Sequence, residues 1–206
     1  MLLLRFRELM AAEPRSSRHE RWAARFVRMR DSPELDAVKD DCLHLLMTAA
    51  ALRHRATSYS VASAPSRFDI HMWMTEIRAI ENNLVVRICR FDEEGRNQTG
   101  LRTALRSIEA RLSDRERKQA NAAVKHFRHA INPLKTQKRN KVAVHLDIEA
   151  KQPHDADSLF DLQGVIEQCR PAVHAVDAIA GARIDYTLQS GRYEKVDLRV
   201  YCAIDE

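Results

Sequence analysis

The stretch RFDIHMWMTEIRAIENNLVVRIC, residues 67–89, decides the fold class. Ile70, Met74, Ile77, Ile80, Leu84 and Ile88 recur at intervals of three and four. That spacing keeps them on one face of a helix, and the run is too long for a strand. No glycine or proline interrupts it. Met72, Trp73 and Met74 fall within the same helix and read as core residues.

The helical period continues on both sides. Upstream, Ser32-Pro33-Glu34 opens a helix with proline in its first turn. It runs to about Arg55 with Leu35, Val38, Cys42, Leu45, Leu46 and Ala49 on one face. Residues 57–66, rich in Ser, Ala and Pro, read as a loop. Downstream, Phe91–Asn97 is a break, and Thr99 is expected to cap a helix carrying Leu101, Leu105, Ile108 and Leu112. Ser113-Asp114-Arg115-Glu116 fits a capping box and opens a helix to about Ile131, which Asn132-Pro133 ends. A last long helix is expected from Asp155-Ala156-Asp157, carrying Leu159, Leu162, Val165, Ile166, Cys169, Val173, Val176 and Ile179. Pro171 should kink it and Gly181 should stop it.

The two ends read differently. Residues 3–12 and 17–30 predict two short helices separated by Glu13-Pro14. In the second, Arg18, Arg21, Arg25 and Arg28 form a stripe beside Trp22, Phe26 and Met29. At the other end, Val196, Leu198, Val200 and Cys202 alternate with Asp197, Arg199 and Tyr201, which is a strand pattern. Ile184, Tyr186 and Leu188 supply a hairpin partner across Ser190-Gly191. The expected architecture is all-α: an antiparallel helical bundle with a small C-terminal strand or hairpin. Its parts are an N-terminal helical arm (1–30), a helical domain (31–182) and a short β-rich tail (183–206).

Composition agrees with this. Of 206 residues only five are glycine, 45% are hydrophobic and 31% are charged, so the chain has both a core and a solvated surface. The net charge of +5 is unevenly spread. Residues 101–141 hold twelve basic and three acidic side chains, a net of +9, whereas residues 142–206 carry six basic and twelve acidic, a net of −6. A block of that sign concentrates a polyanion. Cys42, Cys89, Cys169 and Cys202 form no C-x-x-C and predict buried free thiols in a reducing cytoplasm. No apolar run of membrane-spanning length occurs, and Met1-Leu2-Leu3-Leu4 is too short for a signal-peptide core. His126 and His129, or His44 near Cys42, lack the further ligands of a zinc site, and no Gly-rich phosphate loop is present. No metal or cofactor is therefore expected.

The basic block runs into Arg139-Asn140-Lys141-Val142-Ala143-Val144-His145, followed by Leu146-Asp147. Arginine grips phosphate with a planar fork of donors, and histidine exchanges a proton near pH 7. Asn140 is a good helix N-cap, which places Lys141 and His145 on one face. A cation beside His145 favours the neutral imidazole, a base. Asp147 could orient it. Lys135, Lys138, Lys141 and Arg128 are the expected contacts to an RNA backbone. Arg139, Asn140 and His145 are the expected catalytic set.

The segment R-N-K-V-A-V-H-L-D resembles the R-N-K-x-x-A-H-x-D segment of the abortive-infection U-type (AbiU-like) branch of the HEPN superfamily. Asn82–Asp92 resembles that branch's leucine-rich helix followed by Asp, and Gln98–Leu105 fits its next helix. The likeness spans about residues 35–180 in helix order and departs at Val144, where the branch carries Ala. It implies an HEPN-like helical bundle, a homodimer formed through the motif helices, and a metal-independent ribonuclease of phage-defence or toxin–antitoxin type. An antitoxin or nucleotidyltransferase partner would accompany it. Other HEPN proteins are silent modules that bind a nucleotide or a protein partner. Without the family, the sequence reads as a helical scaffold whose basic face binds RNA.

Overall fold

The computed structural model describes residues 32–58, 66–94, 99–136, 162–190 and 194–204. The helices expected at 3–12 and 17–30, the motif segment and the start expected at Asp155 lie outside the described residues.

Helix α1 (Pro33–Thr57) starts at Ser32, whose hydroxyl accepts the Leu35 N–H at 3.1 Å while Pro33 occupies the first turn. Leu35, Val38, Cys42, Leu45, Leu46, Ala49 and Leu52 are all buried, as the period required. Helix α2 (Arg67–Arg90) is capped by Ser66 and buries Trp73, Ile77, Leu84, Val85, Ile88 and Cys89. The Trp73 indole donates to the Arg55 carbonyl at 3.2 Å, locking α2 against α1. Met72 is a correction: it is 45% exposed, because its direction on α2 falls opposite the buried arc.

Helix α3 (Leu101–Ile108) is capped by Gly100, without a side-chain bond, rather than by Thr99. The reason is local crowding: a Cβ at Gly100 would collide with the Glu93 carbonyl oxygen, and the Leu101 N–H reaches back to Phe91 O at 2.9 Å. Leu101, Leu105, Ile108 and Leu112 are buried. A 3₁₀ turn (Glu109–Arg111) leads to α4 (Asp114–Pro133), which opens with the expected capping box. Ser113 N–H donates to Glu116 Oε2 at 2.9 Å, and Glu116 N–H donates to Ser113 Oγ at 3.4 Å. After Pro133 the chain widens into a π-type turn over residues 134–136.

Helices α5 (Leu162–Glu167) and α6 (Cys169–Ala180) are one helical run broken at Gln168. Pro171 has no N–H for the carbonyl of residue 167, and its ring crowds that carbonyl. Gly181 closes α6 with a left-handed φ of 74° and donates to Asp177 O at 2.8 Å. The tail forms a hairpin of β1 (Thr187–Ser190) and β2 (Glu194–Asp197), with Leu188 opposite Val196.

The strand expected at 196–202 ends at Asp197, and Leu198–Tyr201 is a helical turn, α7. Asp197 accepts the Arg199 N–H at 2.9 Å, a helix-start bond that competes with the strand ladder. Leu198 and Cys202, four apart, are both buried, while Val200 is 63% exposed. Apolar residues at 198 and 202 satisfy either period, and only Val200 tells the two apart.

Helix α1 is the central element. It packs against α2, α3, α5, α6 and α7, and α6 in turn packs on α4. The architecture is mainly helical with a small antiparallel hairpin near the C-terminus. No helix among the described residues is long and apolar enough to cross a membrane.

Candidate nucleic-acid interface

Helices α3 and α4 meet along an open groove of about 770 Å³. Leu105 and Val124 form its floor. The α3 wall carries Arg102 and Arg106, four apart and so on one face. The α4 wall carries Lys125, Arg128 and His129, with Asn121 and Asn132 at its ends. These spacings of three and four place the groove residues on the arc of α4 that adjoins the buried one of Ala120, Val124, Phe127 and Ile131, with Val124 shared by both.

The cations are not equivalent. Glu94 accepts Arg102 Nη1 at 2.7 Å and Arg106 Nη2 at 3.4 Å. Arg128 Nε lies 2.7 Å from Asp92 Oδ1, and Lys135 Nζ pairs with the other oxygen of the same carboxylate. Lys125 and His129 are exposed and have no ion pair among the described residues. Glu109 is the acid lining the groove itself.

Asp92 is the organising residue. Its side chain is only 6% exposed, and it joins the end of α2 to the end of α4 and the turn that follows. A buried carboxylate is tolerated only when paired and hydrogen-bonded, and here two cations neutralise it. Arg128 and Lys135 keep contact with water, at 38% and 27% exposed, so part of each head remains available to a ligand.

Of the residues singled out from sequence, Arg128 and Lys135 are thus brought together. Lys138, Arg139, Asn140, Lys141, His145 and Asp147 lie outside the described residues. Lys135 stands four positions before Arg139, so Asp92 anchors the chain just ahead of the motif. The sequence reading missed Arg106, Lys125 and His129 as groove residues. Their shared helical faces were readable, but which faces meet was not.

A second polar cluster lies in the core. Arg199 is 2% exposed and forms a two-point pair with Asp177, at 2.6 Å and 3.3 Å. It also donates to Ile184 O at 3.0 Å, and Ile184 N–H donates to Asp177 Oδ1 at 2.9 Å. This network ties the tail to α6. Cys42, Cys89, Cys169 and Cys202 are all free thiols and all buried. Burial pushes the Cys42 thiol up to about 12 and the Cys202 thiol up to about 11, and raises Cys169 as well. Burial also raises the Tyr186 hydroxyl, which lies against Cys42. A protonated thiol is a poor nucleophile, so this cluster holds the fold rather than doing chemistry. Among the described residues no group of three His, Cys, Asp or Glu side chains is placed to hold a metal ion.

No family model matches this chain, and no curated protein or solved structure is significantly similar to it.

Proposed function

We propose that this protein is a metal-independent endoribonuclease of a phage-defence or toxin–antitoxin type. The observation that carries the reading is the basic groove between α3 and α4, together with Asp92, which anchors the chain four residues before Arg139. RNA would lie along Arg106, Lys125 and His129, with Arg128 and Lys135 holding phosphates nearer the motif. Lys138 and Lys141 would extend that grip. The likeness of residues 139–147 to the HEPN motif supports the chemistry.

In the reaction, His145 takes the proton from a ribose 2′-hydroxyl, and the 2′-oxygen attacks the adjacent phosphorus. The bond to the 5′-oxygen breaks, and that oxygen leaves with a proton from a donor in the site. Arg139 stabilises charge on the non-bridging oxygens, Asn140 caps the motif helix beside it within the catalytic set, and Asp147 orients His145. The products carry a 2′,3′-cyclic phosphate and a 5′-hydroxyl. DNA has no 2′-hydroxyl and should survive.

The test is purified full-length protein with mixed RNA in EDTA, followed by end-group analysis. His145→Ala should lower cleavage about 10²–10⁴-fold while RNA binding stays near wild type. Arg139→Ala should lose cleavage and part of the binding, and Arg139→Lys should restore only part, since an ammonium lacks the fork. Full activity in His145→Ala, or cleavage only with added divalent metal, overturns the mechanism. Absence of cleavage across varied RNAs would leave a silent module that binds a nucleotide or a protein partner.

A further inference from the structure

Helix α2 carries an apolar stripe on its outer face. Phe68 (69% exposed), Met72 (45%) and Val86 (47%) are three of the five large apolar side chains exposed among the described residues. Thr75 and Ala79 lie between them and are also exposed. At 100° per residue these five positions fall within an arc of about 60°. Phe68 and Met72, one turn apart, form an apolar patch with Thr75 and Ala79, and Val86 continues the same face beyond Asn82 and Asn83. Apolar side chains grouped on one exposed face mark an interaction surface more than scattered ones do.

We propose that this stripe docks a second copy of the chain, with the two α2 helices antiparallel about a two-fold axis near Ile77. Four of the five positions map onto one another under that operation, Phe68 with Val86 and Thr75 with Ala79, while Met72 meets the amides of Asn82 and Asn83. Phe68 of one copy stands opposite Val86 of the other, Met72 opposite Asn82, and Thr75 opposite Ala79. Small residues at the centre let the helices approach closely, and large ones fill the widening ends.

The charges also match. Asp69 and Arg87 lie on the same flank of α2, eight residues before and ten residues after Ile77. In the pair, each Asp69 comes within about 3 Å, measured along the axis, of the other copy's Arg87. Asp69 forms no ion pair among the described residues and is bonded to the Ser66 hydroxyl at 2.5 Å. Arg87 likewise forms none and donates to Asn83 at 2.7 Å. Glu76 would meet its own copy near the axis, but Arg55 Nε neutralises it at 2.7 Å. Arg78, on the far flank, would sit at the rim with its head in water.

This pairing is independent of the ribonuclease reading and differs from a dimer joined at the motifs. It places the two Asp92 residues about 45 Å apart along the axis, so each copy would work at its own groove.

The test is sedimentation equilibrium of the full chain at micromolar concentration. Wild type should be a dimer. Met72→Glu should weaken it at least tenfold, with an unchanged helical circular dichroism signal. Asp69→Arg and Arg87→Asp should each weaken it roughly tenfold, and the double variant should recover most of the affinity, because the swap restores opposite charges. These two positions are at the surface, so the swap stays informative if Met72→Glu misfolds. A monomeric wild type overturns the proposal, including one whose stripe is covered by another part of the chain. A dimer indifferent to Met72→Glu, or a double variant weaker than either single one, also overturns it.

Discussion

Asp92 is where charge, burial and position meet. Its carboxylate is nearly closed to water and holds one cation from α4 and one from the turn beyond it. Removing one partner of a fully buried pair costs about 3–5 kcal/mol. Arg128 and Lys135 still reach water, so solvent screens them and the loss should be smaller. We expect Asp92→Asn to lower unfolding stability by about 1–2 kcal/mol in urea. The same change frees two cations, Arg128 in the groove and Lys135 in the turn after α4, so RNA should bind more tightly and with a steeper salt dependence. Weaker binding would mean that Asp92 shapes the groove more than it restrains its charge. Lys125 makes the opposite case, being exposed and without an ion pair among the described residues. Lys125→Ala should leave stability within about 0.5 kcal/mol of wild type. It should weaken binding to RNAs of any sequence and reduce the log–log salt slope by about 0.7, the value for one phosphate contact on a single strand.

Among the elements, the tail is the part that local pattern misjudges. Val196 to Cys202 alternates like a strand, yet Asp197 turns the chain into α7 and Arg199 runs inward to Asp177. After α7, Ala203 adopts a φ of 54°, and Ile204 N–H closes the turn onto Arg199 O at 2.8 Å. A left-handed alanine carries a steric cost that glycine avoids. Ala203→Gly should therefore stabilise the protein by about 0.5 kcal/mol, the gain being partly offset by greater freedom in the unfolded chain. Thermal melts of the variant and wild type would check this. A lower melting temperature would show that the Ala203 methyl packs better than its backbone angle costs. The helix termini, by contrast, follow rules that act over a few residues. Ser32 and the Ser113–Glu116 box start helices, and Gly181 ends one, as their residue types require.

At the scale of the molecule, α1 is wrapped on several sides and its core contains ionisable groups held in their neutral form. Burial keeps the Cys42 and Cys202 thiols protonated to about 12 and about 11, well above the ordinary value of 9.0. The unfolded chain ionises first, near 9, so it binds fewer protons than the folded protein above that pH. Their contribution to stability is intact below pH 9 and is lost as pH rises through 11 to 12. Unfolding free energies from urea titrations should fall between pH 9 and 11, by up to about 1.4 kcal/mol per thiol per pH unit. Cys42→Ala should make the fall shallower. A pH-independent midpoint across that window would show that the thiols reach water.

What the sequence determined by itself was helical content among the described residues and the helix ends at Ser32, Ser113 and Gly181, because periodicity, capping hydroxyls, Pro171 and Gly181 act within one or two turns. The cap expected at Thr99 lies instead at Gly100. The buried faces of α1 and α3 were legible for the same reason, and so was the basic block containing Arg128 and Lys135. Only the tertiary structure decided which faces meet. Asp92 lies 43 residues from Lys135, and no local rule pairs them. The groove needs α3 beside α4, the inward Arg199 needs Asp177 from another element, and Met72 points outward because α1 covers a different arc of α2. Each depends on burial and charge pairing between segments far apart in the chain, where period and propensity carry no information.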